Sequence, residues 1–245
     1  MSKPYGIQVR DLNKYHQGHA VLSIAQFDAG HGEAICLKGS NGSGKSTLLH
    51  TLSGATANCS GEVSVLGRNI ISTPQSVVAK LRAEYIGFIF QHYRLIPYLS
   101  AFDNIMLPCF FSDLRQQEAC ARMGSNNTLK NASEDAFRLI RQLKLQDPSR
   151  LSKAASAYSA GQQQRFAIVR ALIGSPSLIL ADEPASAMDS SGKQAVYDLL
   201  LKECRETGAT LLCATHDDID TSAFDRTINM DELNTAKEKE IRWLL

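Results

Sequence analysis

A chain of 245 residues, 44% hydrophobic and 21% charged, is long enough to bury a full core without disulfide or metal staples, as one domain or one domain with a subdomain. Its 26 Lys and Arg against 25 Asp and Glu leave a net charge of +1, spread along the sequence, which excludes the basic footprint that holds DNA or RNA. Cys36, Cys59, Cys109, Cys120, Cys204 and Cys213 make no C-x-x-C or ligand spacing and read as buried reduced thiols, and no apolar run approaches the roughly 20 residues that cross a bilayer, so a cytosolic chain is expected.

In chain order, residues from about 5 to 67 alternate short apolar runs with Gly-containing turns, as in Ile7-Gln8-Val9 and Glu62-Val63-Ser64-Val65, and are expected to be strands around a first functional unit. That unit is Gly39-Ser40-Asn41-Gly42-Ser43-Gly44-Lys45-Ser46-Thr47, a phosphate-binding P-loop. Residues 33–38 read as the buried strand that enters it and residues 45–52 as the helix that leaves it, so the helix N-terminus faces an anion. Gly39, Gly42 and Gly44 let the backbone curl with its N–H groups pointing inward. Lys45 then reaches the β- and γ-phosphates, and the Ser46 hydroxyl sits on Mg²⁺. The pattern commits the chain to a nucleoside triphosphate.

From about residue 93 to 157 the β-branched residues thin out. Ala136, Phe137, Leu139, Ile140 and Leu143 share one helical stripe over residues 134–145, with Ser133 as its N-cap, so residues 92–157 are expected to form a helical subdomain. Residues 112–131 are polar and read as a helix end with a loop. Asn126-Asn127-Thr128 and Asn131-Ala132-Ser133 are glycosylation sequons in form only, since a cytosolic chain never meets that enzyme. Past residue 157 the strand and helix alternation returns. Residues 177–181 and 210–214 are continuous apolar runs, the signature of strands buried on both faces of a parallel sheet. The first of them leads into Asp182-Glu183, two adjacent carboxylates at the carboxyl end of a strand, where parallel α/β sheets hold their ligands. Asp182 suits Mg²⁺, directly or through water. Glu183 can orient and deprotonate a water for in-line attack on a γ-phosphate.

Between the two motifs lies Tyr158-Ser159-Ala160-Gly161-Gln162-Gln163-Gln164-Arg165, followed by Ala167 and Val169-Arg170-Ala171-Leu172. With this segment the chain resembles the ATP-binding cassette (ABC) ATPases, which carry a Ser-Gly-Gly-Gln type signature ahead of the helix leading to the Asp-Glu strand. Ser159, Gly161 and Gln162 match that signature. Ala160 replaces one glycine, placing a methyl group beside a partner's γ-phosphate and restricting φ, and Tyr158 stands where leucine is usual. The resemblance implies an α/β P-loop NTPase core of mostly parallel sheet with flanking helices, plus an N-terminal antiparallel β region and the helical subdomain. It implies ATP and Mg²⁺ as ligands. It also implies a head-to-tail pair of identical chains, in which Ser159, Ala160, Gly161 and Gln162 of one copy face the nucleotide of the other.

Position by position, the resemblance makes Gln91 the Q-loop glutamine that touches Mg²⁺ and the attacking water, and His216 the switch histidine at the γ-phosphate. Asp189, closing Ser186-Ala187-Met188-Asp189, becomes the anchor of the D-loop at the dimer interface. Tyr15 becomes the aromatic that stacks on the base, an interaction worth about 1–3 kcal/mol. The likeness divides the chain into a nucleotide-binding core (1–91 and 158–232), the subdomain, and a tail (233–245) expected to be a short helix packed on the core.

Gln91-His92-Tyr93-Arg94-Leu95-Ile96-Pro97-Tyr98-Leu99-Ser100, with Asp103-Asn104-Ile105-Met106-Leu107-Pro108 behind it, is similar to the subgroup that powers lipoprotein release and macrolide efflux, the LolD-like and MacB-like ATPases. That likeness implies a separate four-helix membrane permease with an extracytoplasmic domain, docked on the subdomain near residues 93–111. The ATPase would then be peripheral on the cytoplasmic face of the membrane. The alternative is a cassette of the FtsE-like branch, which regulates a cell-envelope hydrolase without transport. A soluble cassette of DNA repair or translation fits less well, for want of a coiled-coil insertion, a second cassette or basic charge.

Overall fold

The computed structural model describes residues 5–56, 58–124, 129–145, 151–217 and 219–236. Strands β1 (Tyr5–His16) and β2 (His19–Gly30) form a long antiparallel hairpin. Its turn residues Gln17 and Gly18 both adopt positive φ, which matches the right-handed twist of the flanking strands. β1 also pairs with β4 (Cys59–Val65), and β4 with β5 (Arg68–Asn69), giving the spatial order β2-β1-β4-β5.

The second sheet is parallel throughout. Its order is β6 (Ile86–Ile89), β7 (Leu178–Asp182), β8 (Thr210–Ala214), β3 (Ala34–Lys38) and β9 (Arg226–Asn229). β7 and β8 lie where the two long apolar runs place them, and every residue of both is buried. The pleat divides their side chains between two cores. Leu178, Leu180, Leu212, Ile35 and Leu37 pack toward the antiparallel sheet and α1 (Lys45–Leu52), whereas Ile179, Ala181, Leu211, Cys213 and Cys36 pack toward the helices on the other side.

Those helices are α3 (Ala101–Phe111), α4 (Asp113–Arg122), α5 (Leu129–Gln142), α6 (Ala160–Leu172) and α7 (Ser190–Thr207), while α2 (Gln75–Tyr85) precedes β6. Two expectations for this region are corrected. Residues 113–122 are a full helix rather than a helix end with a loop, because Arg115, Ala119 and Cys120 form a buried stripe and the Ser112 hydroxyl caps the start by accepting from Arg115 N. Ser133 is not an N-cap either. The apolar stripe begins earlier, at Ala132, so α5 starts at Leu129 and the Ser133 hydroxyl donates back to the Lys130 carbonyl within the helix. The sequon Asn126-Asn127-Thr128 lies outside the described residues.

All six cysteines are free and five are buried, Cys59 being half-buried. Burial pushes the Cys36 thiol up to about 11 and that of Cys109 up to about 12, so neither is a ready thiolate near neutrality. Arg138 on α5 pairs with Glu203 on α7 and with Asp135 on its own helix, fastening α5 to α7. Among the described residues no helix is long and apolar enough to cross a membrane.

Candidate functional site

The carboxyl ends of β3, β6, β7 and β8 converge on one cavity of about 640 Å³, as expected for a parallel α/β sheet. From β3 the chain enters the P-loop, whose last glycine, Gly44, caps α1 with φ 101°. A methyl group there would lie 2.8 Å from Leu22 Cδ2 and 3.0 Å from Asn234 Nδ2, so the position is closed to any side chain. The helix behind the loop is anchored by Leu48, Leu49 and Leu52, all fully buried and worth roughly 1.5–3 kcal/mol each. Asn41, Gly42, Gly44, Lys45, Ser46 and Thr47 line the cavity, and the Ser43 hydroxyl is buried without a partner. Gly39 and Ser40 turn outward to the wall formed by the end of the chain.

Lys45 is buried, and its ammonium donates to the carbonyls of Gly39 (2.9 Å) and Ser40 (3.0 Å). Among the described residues it has no carboxylate partner, which leaves its charge available to an anion in the cavity. Ser46 Oγ lies 3.0 Å from Asp182 Oδ1. A hydroxyl and one carboxylate at the mouth of a phosphate loop fit Mg²⁺, which is held by one or two protein oxygens together with phosphate and water. No cluster of three or more His, Cys, Asp or Glu suited to a metal occurs among the described residues.

Burial pushes the Asp182 carboxyl up, against the Ser46 hydrogen bond that favours its ionised form. A cation binds the ionised form, so acidification discharges this carboxylate at a higher pH than an ordinary aspartate. Magnesium-dependent ATP binding is therefore expected to weaken on acidification sooner than an ordinary aspartate would allow. Asp182→Asn keeps the titration of ATP itself but lacks the carboxylate, so it is expected to lose the protein's share of that pH dependence. Magnesium titrations of both proteins over a falling pH series measure the difference.

Glu183 follows Asp182 and adopts φ 49°, a strained backbone for a non-glycine residue of the kind found at functional sites. Its carboxylate is buried. It accepts from His216 N at 3.1 Å and meets His216 Nδ1 at 2.7 Å, and both residues line the cavity with Gln91. Gln91 is set in place by the turn that follows it. Tyr93 and Arg94 both have positive φ, and Arg170 on α6 donates to their carbonyls, 2.7 Å each. Burial without a carboxylate partner pushes the Arg170 guanidinium down to about 10.

The remaining expected residues lie elsewhere. Tyr15 pairs with Ala20 across the hairpin and is half-exposed; the cavity wall beside it is made by His19, Ala20 and Val21. Ser159 caps α6 through a reciprocal capping box with Gln162, and neither it nor Ala160 nor Gly161 lines this cavity. Ala160 is the first helical residue of α6 and has no positive φ, so the expected backbone restriction at that alanine costs nothing. Asp189 caps α7 by accepting from Gly192 N at 2.9 Å.

Sequence reasoning missed five residues. Gln164, fully buried on α6, donates to the Glu183 carbonyl and accepts from Ala187 N, tying the signature helix to the Asp-Glu segment. Asp231, on the short α8 (Met230–Leu233), holds Ser40 through its N–H (2.7 Å) and its hydroxyl (2.6 Å). Asn234 donates to the Ser43 carbonyl (2.9 Å) and the Val21 carbonyl (3.0 Å). Asn234 and Ala236 line the cavity, and Thr235 bonds to Ser23 on β2. The start of the tail thus clamps the P-loop through Asn234 and joins β2 through Thr235, and Ala236, buried, is already helical; residues 237–245, where most of the expected short helix falls, lie outside the described residues.

Comparison with known proteins agrees with this geometry. The ABC transporter family profile matches residues 22–186. The lipoprotein-releasing system ATP-binding protein LolD of Porphyromonas gingivalis is 34% identical over 224 residues, covering 91% of this chain and 95% of the relative. LolD of Shewanella oneidensis is 33% identical over 228 residues, covering 91% and 93%. The uncharacterized ABC transporter ATP-binding protein YbbA of Escherichia coli is 38% identical over 215 residues, covering 86% and 88%. Among solved structures, a dimeric ATP-binding cassette in a post-hydrolysis state bound to ADP and Pi superposes with a TM-score of 0.80 at 29% identity, covering 94% of this chain and 95% of that one.

Proposed function

Because the chain belongs to the ABC transporter family and is its ATP-hydrolysing part, we propose that two copies close head-to-tail around two ATP and drive a separate membrane permease. The process driven is export, efflux or lipoprotein extraction, as the likeness to LolD suggests. One observation carries the catalytic half of this reading: the Glu183 carboxylate and the His216 ring form a 2.7 Å pair on the wall of the same cavity as Lys45 and Ser46. In this reading Lys45 and the P-loop amides hold the phosphates, Ser46, Asp182 and Gln91 hold Mg²⁺, and Glu183 takes the proton of the attacking water. His216 positions the γ-phosphate, and Tyr15 or the neighbouring His19 covers the base.

The dimer accounts for the signature turn. Ser159, Ala160 and Gln162 are exposed at the N-terminus of α6, away from the cavity of their own chain, and such a terminus has work to do only against the phosphate of a second copy. For the permease, the supporting feature is a groove of about 350 Å³ beside the Gln91 turn, lined by Phe88, Phe90, Arg94, Leu107, Pro108 and Phe111. Phe111 is 78% exposed at its edge, as an aromatic anchor awaiting a partner would be. The chain then sits on the cytoplasmic face of the membrane through that partner.

The test is recovery of tagged protein from detergent-solubilised membranes with Mg-ATP. The expected companion is a four-helix membrane subunit with an extracytoplasmic domain that stimulates hydrolysis; soluble companions alone would sink the permease reading. Phe111→Asp is expected to weaken that companion's binding by about 2 kcal/mol or more, roughly 30-fold, while basal hydrolysis stays at the wild-type level.

A further inference from the structure

Gln162, Gln163 and Gln164 follow one another on α6 and have different partners. Gln162 closes the capping box with Ser159, and Gln163 donates to the Tyr158 carbonyl at 2.8 Å. Gln164 turns inward. Its side chain is fully buried, its Nε2 lies 3.2 Å from the Glu183 carbonyl and 3.3 Å from Ser186 Oγ, and its Oε1 accepts from Ala187 N at 2.9 Å. The Ala187 N–H can only donate, so the oxygen of the amide must face it and the NH₂ group must face Glu183. The partners thus fix which way this amide points.

Glu183 adopts φ 49° directly before Pro184. The left-handed region is strained for a non-glycine residue, and a following proline pushes the residue ahead of it toward extended backbone instead. Such a conformation persists only where its surroundings hold it. Two holds come from β8 and the residues just past it: the Glu183 N–H donates to the Ala214 carbonyl at 2.9 Å, and the carboxylate accepts from His216 N at 3.1 Å. The third is on the Glu183 carbonyl, which accepts from Gln164 across from α6 and, at 3.3 Å, from Ser186 N within its own turn. Pro184 has no N–H to add. Phe166, Ala167, Ile168 and Val169, all buried, seat α6 in the core, so Gln164 acts from a fixed base.

We propose that Gln164 is a positioning residue for Glu183: by bonding the Glu183 carbonyl and the Ala187 N–H together, it keeps the turn between them closed and so aims the Glu183 carboxylate into the cavity that Lys45 and Ser46 line. The inference rests on the reading of Glu183 as general base. Gln164 itself does not line that cavity. Its effect reaches the carboxylate through the backbone of Glu183 alone, which separates it from every residue placed on the phosphates or the metal.

Gln164→Met fills a similar volume without either bond. It should lower kcat by about 10- to 100-fold, the cost of a reacting group set off its geometry, with KM for ATP near the wild-type value because the groups that hold the phosphates are untouched. Gln164→Asn keeps an amide but withdraws it by one methylene, so it should show a smaller loss of the same kind. In a Glu183→Gln background, adding Gln164→Met should slow the residual rate little further, and the pair formed with Mg-ATP should persist on sedimentation. A residue that acts other than through Glu183 would leave the two losses additive. Wild-type kcat in a folded Gln164→Met protein overturns the proposal, as do additive losses or a Glu183→Gln pair that is lost once Gln164→Met is added. Failure of both Gln164 variants to fold assigns the residue to the core alone and overturns it as well. A Glu183→Gln protein with wild-type activity would instead overturn the general-base reading beneath it.

Discussion

Replacing Glu183 by glutamine is expected to leave ATP binding intact and to slow hydrolysis by about 10²–10⁴-fold, the usual contribution of a positioned general base. The substitution keeps the size of the side chain and an oxygen able to accept the His216 N–H, now 3.1 Å away, but removes the negative charge that a general base at this position needs. Among the described residues the hydrogen-bond partners of the carboxylate are His216 and Thr215, and none belongs to the P-loop. Affinity for the triphosphate should therefore change little. The strained backbone at φ 49° is the same in both proteins, so thermal stability should stay close to wild type. With the base gone, ATP persists in the site and the closed head-to-tail pair should accumulate. Single-turnover hydrolysis gives the rate, and sedimentation with and without Mg-ATP gives the association state. Hydrolysis at the wild-type rate would remove Glu183 from the mechanism.

The parts of this molecule that could be read in advance are those in which one short segment sets both local structure and chemistry. The P-loop is such a segment, since strand, glycine turn and helix are contiguous and their pattern determines which groups face the phosphate. The run into Asp182-Glu183 is another, because a strand buried on both faces can present carboxylates only at its end. What stayed hidden depends on segments distant in the chain. Asp231 and Asn234 reach the P-loop from 191 residues away, and nothing local in Met230-Asp231-Glu232-Leu233-Asn234 distinguishes them from surface polar residues. Arg170 and Gln164 sit in a helix whose start was recognised, yet their targets, the turn after Gln91 and the backbone of Glu183 and Ala187, exist only once that helix lies against the sheet.

The errors have a similar origin. Residues 112–131 read as a helix end with a loop because their polar content masks a stripe that becomes visible only when Arg115 is counted among the buried positions. That guanidinium donates to the Ala171 carbonyl at 2.8 Å, and burial pushes it down to about 10. A charge buried in this way cannot be read from hydropathy alone.

Lys45→Ala is expected to lower affinity for ATP by about 100-fold or more. In the structure the ammonium is nine-tenths buried and donates to the Gly39 and Ser40 carbonyls, 2.9 and 3.0 Å away. On the proposed reading, removing the side chain deletes charge-assisted hydrogen bonds to the β- and γ-phosphates, worth about 1.5–3 kcal/mol each, and it leaves the Gly39 and Ser40 carbonyls without this donor. The loop itself should survive, because Asp231 still grips Ser40 and Asn234 still grips Ser43 from outside. Lys45→Ala should therefore fold and melt near the wild-type temperature while binding little ATP, a separation that calorimetry and thermal unfolding resolve together. Tight residual binding would argue against Lys45 as the phosphate ligand. A large fall in melting temperature without ATP would instead assign the residue to loop structure. Asp231→Asn tests the clamp from the other side. It removes a negative charge from the rim of an anion site, yet keeps groups that can bond to Ser40, so it should bind ATP at least as tightly as wild type and carry none of the defect of Lys45→Ala.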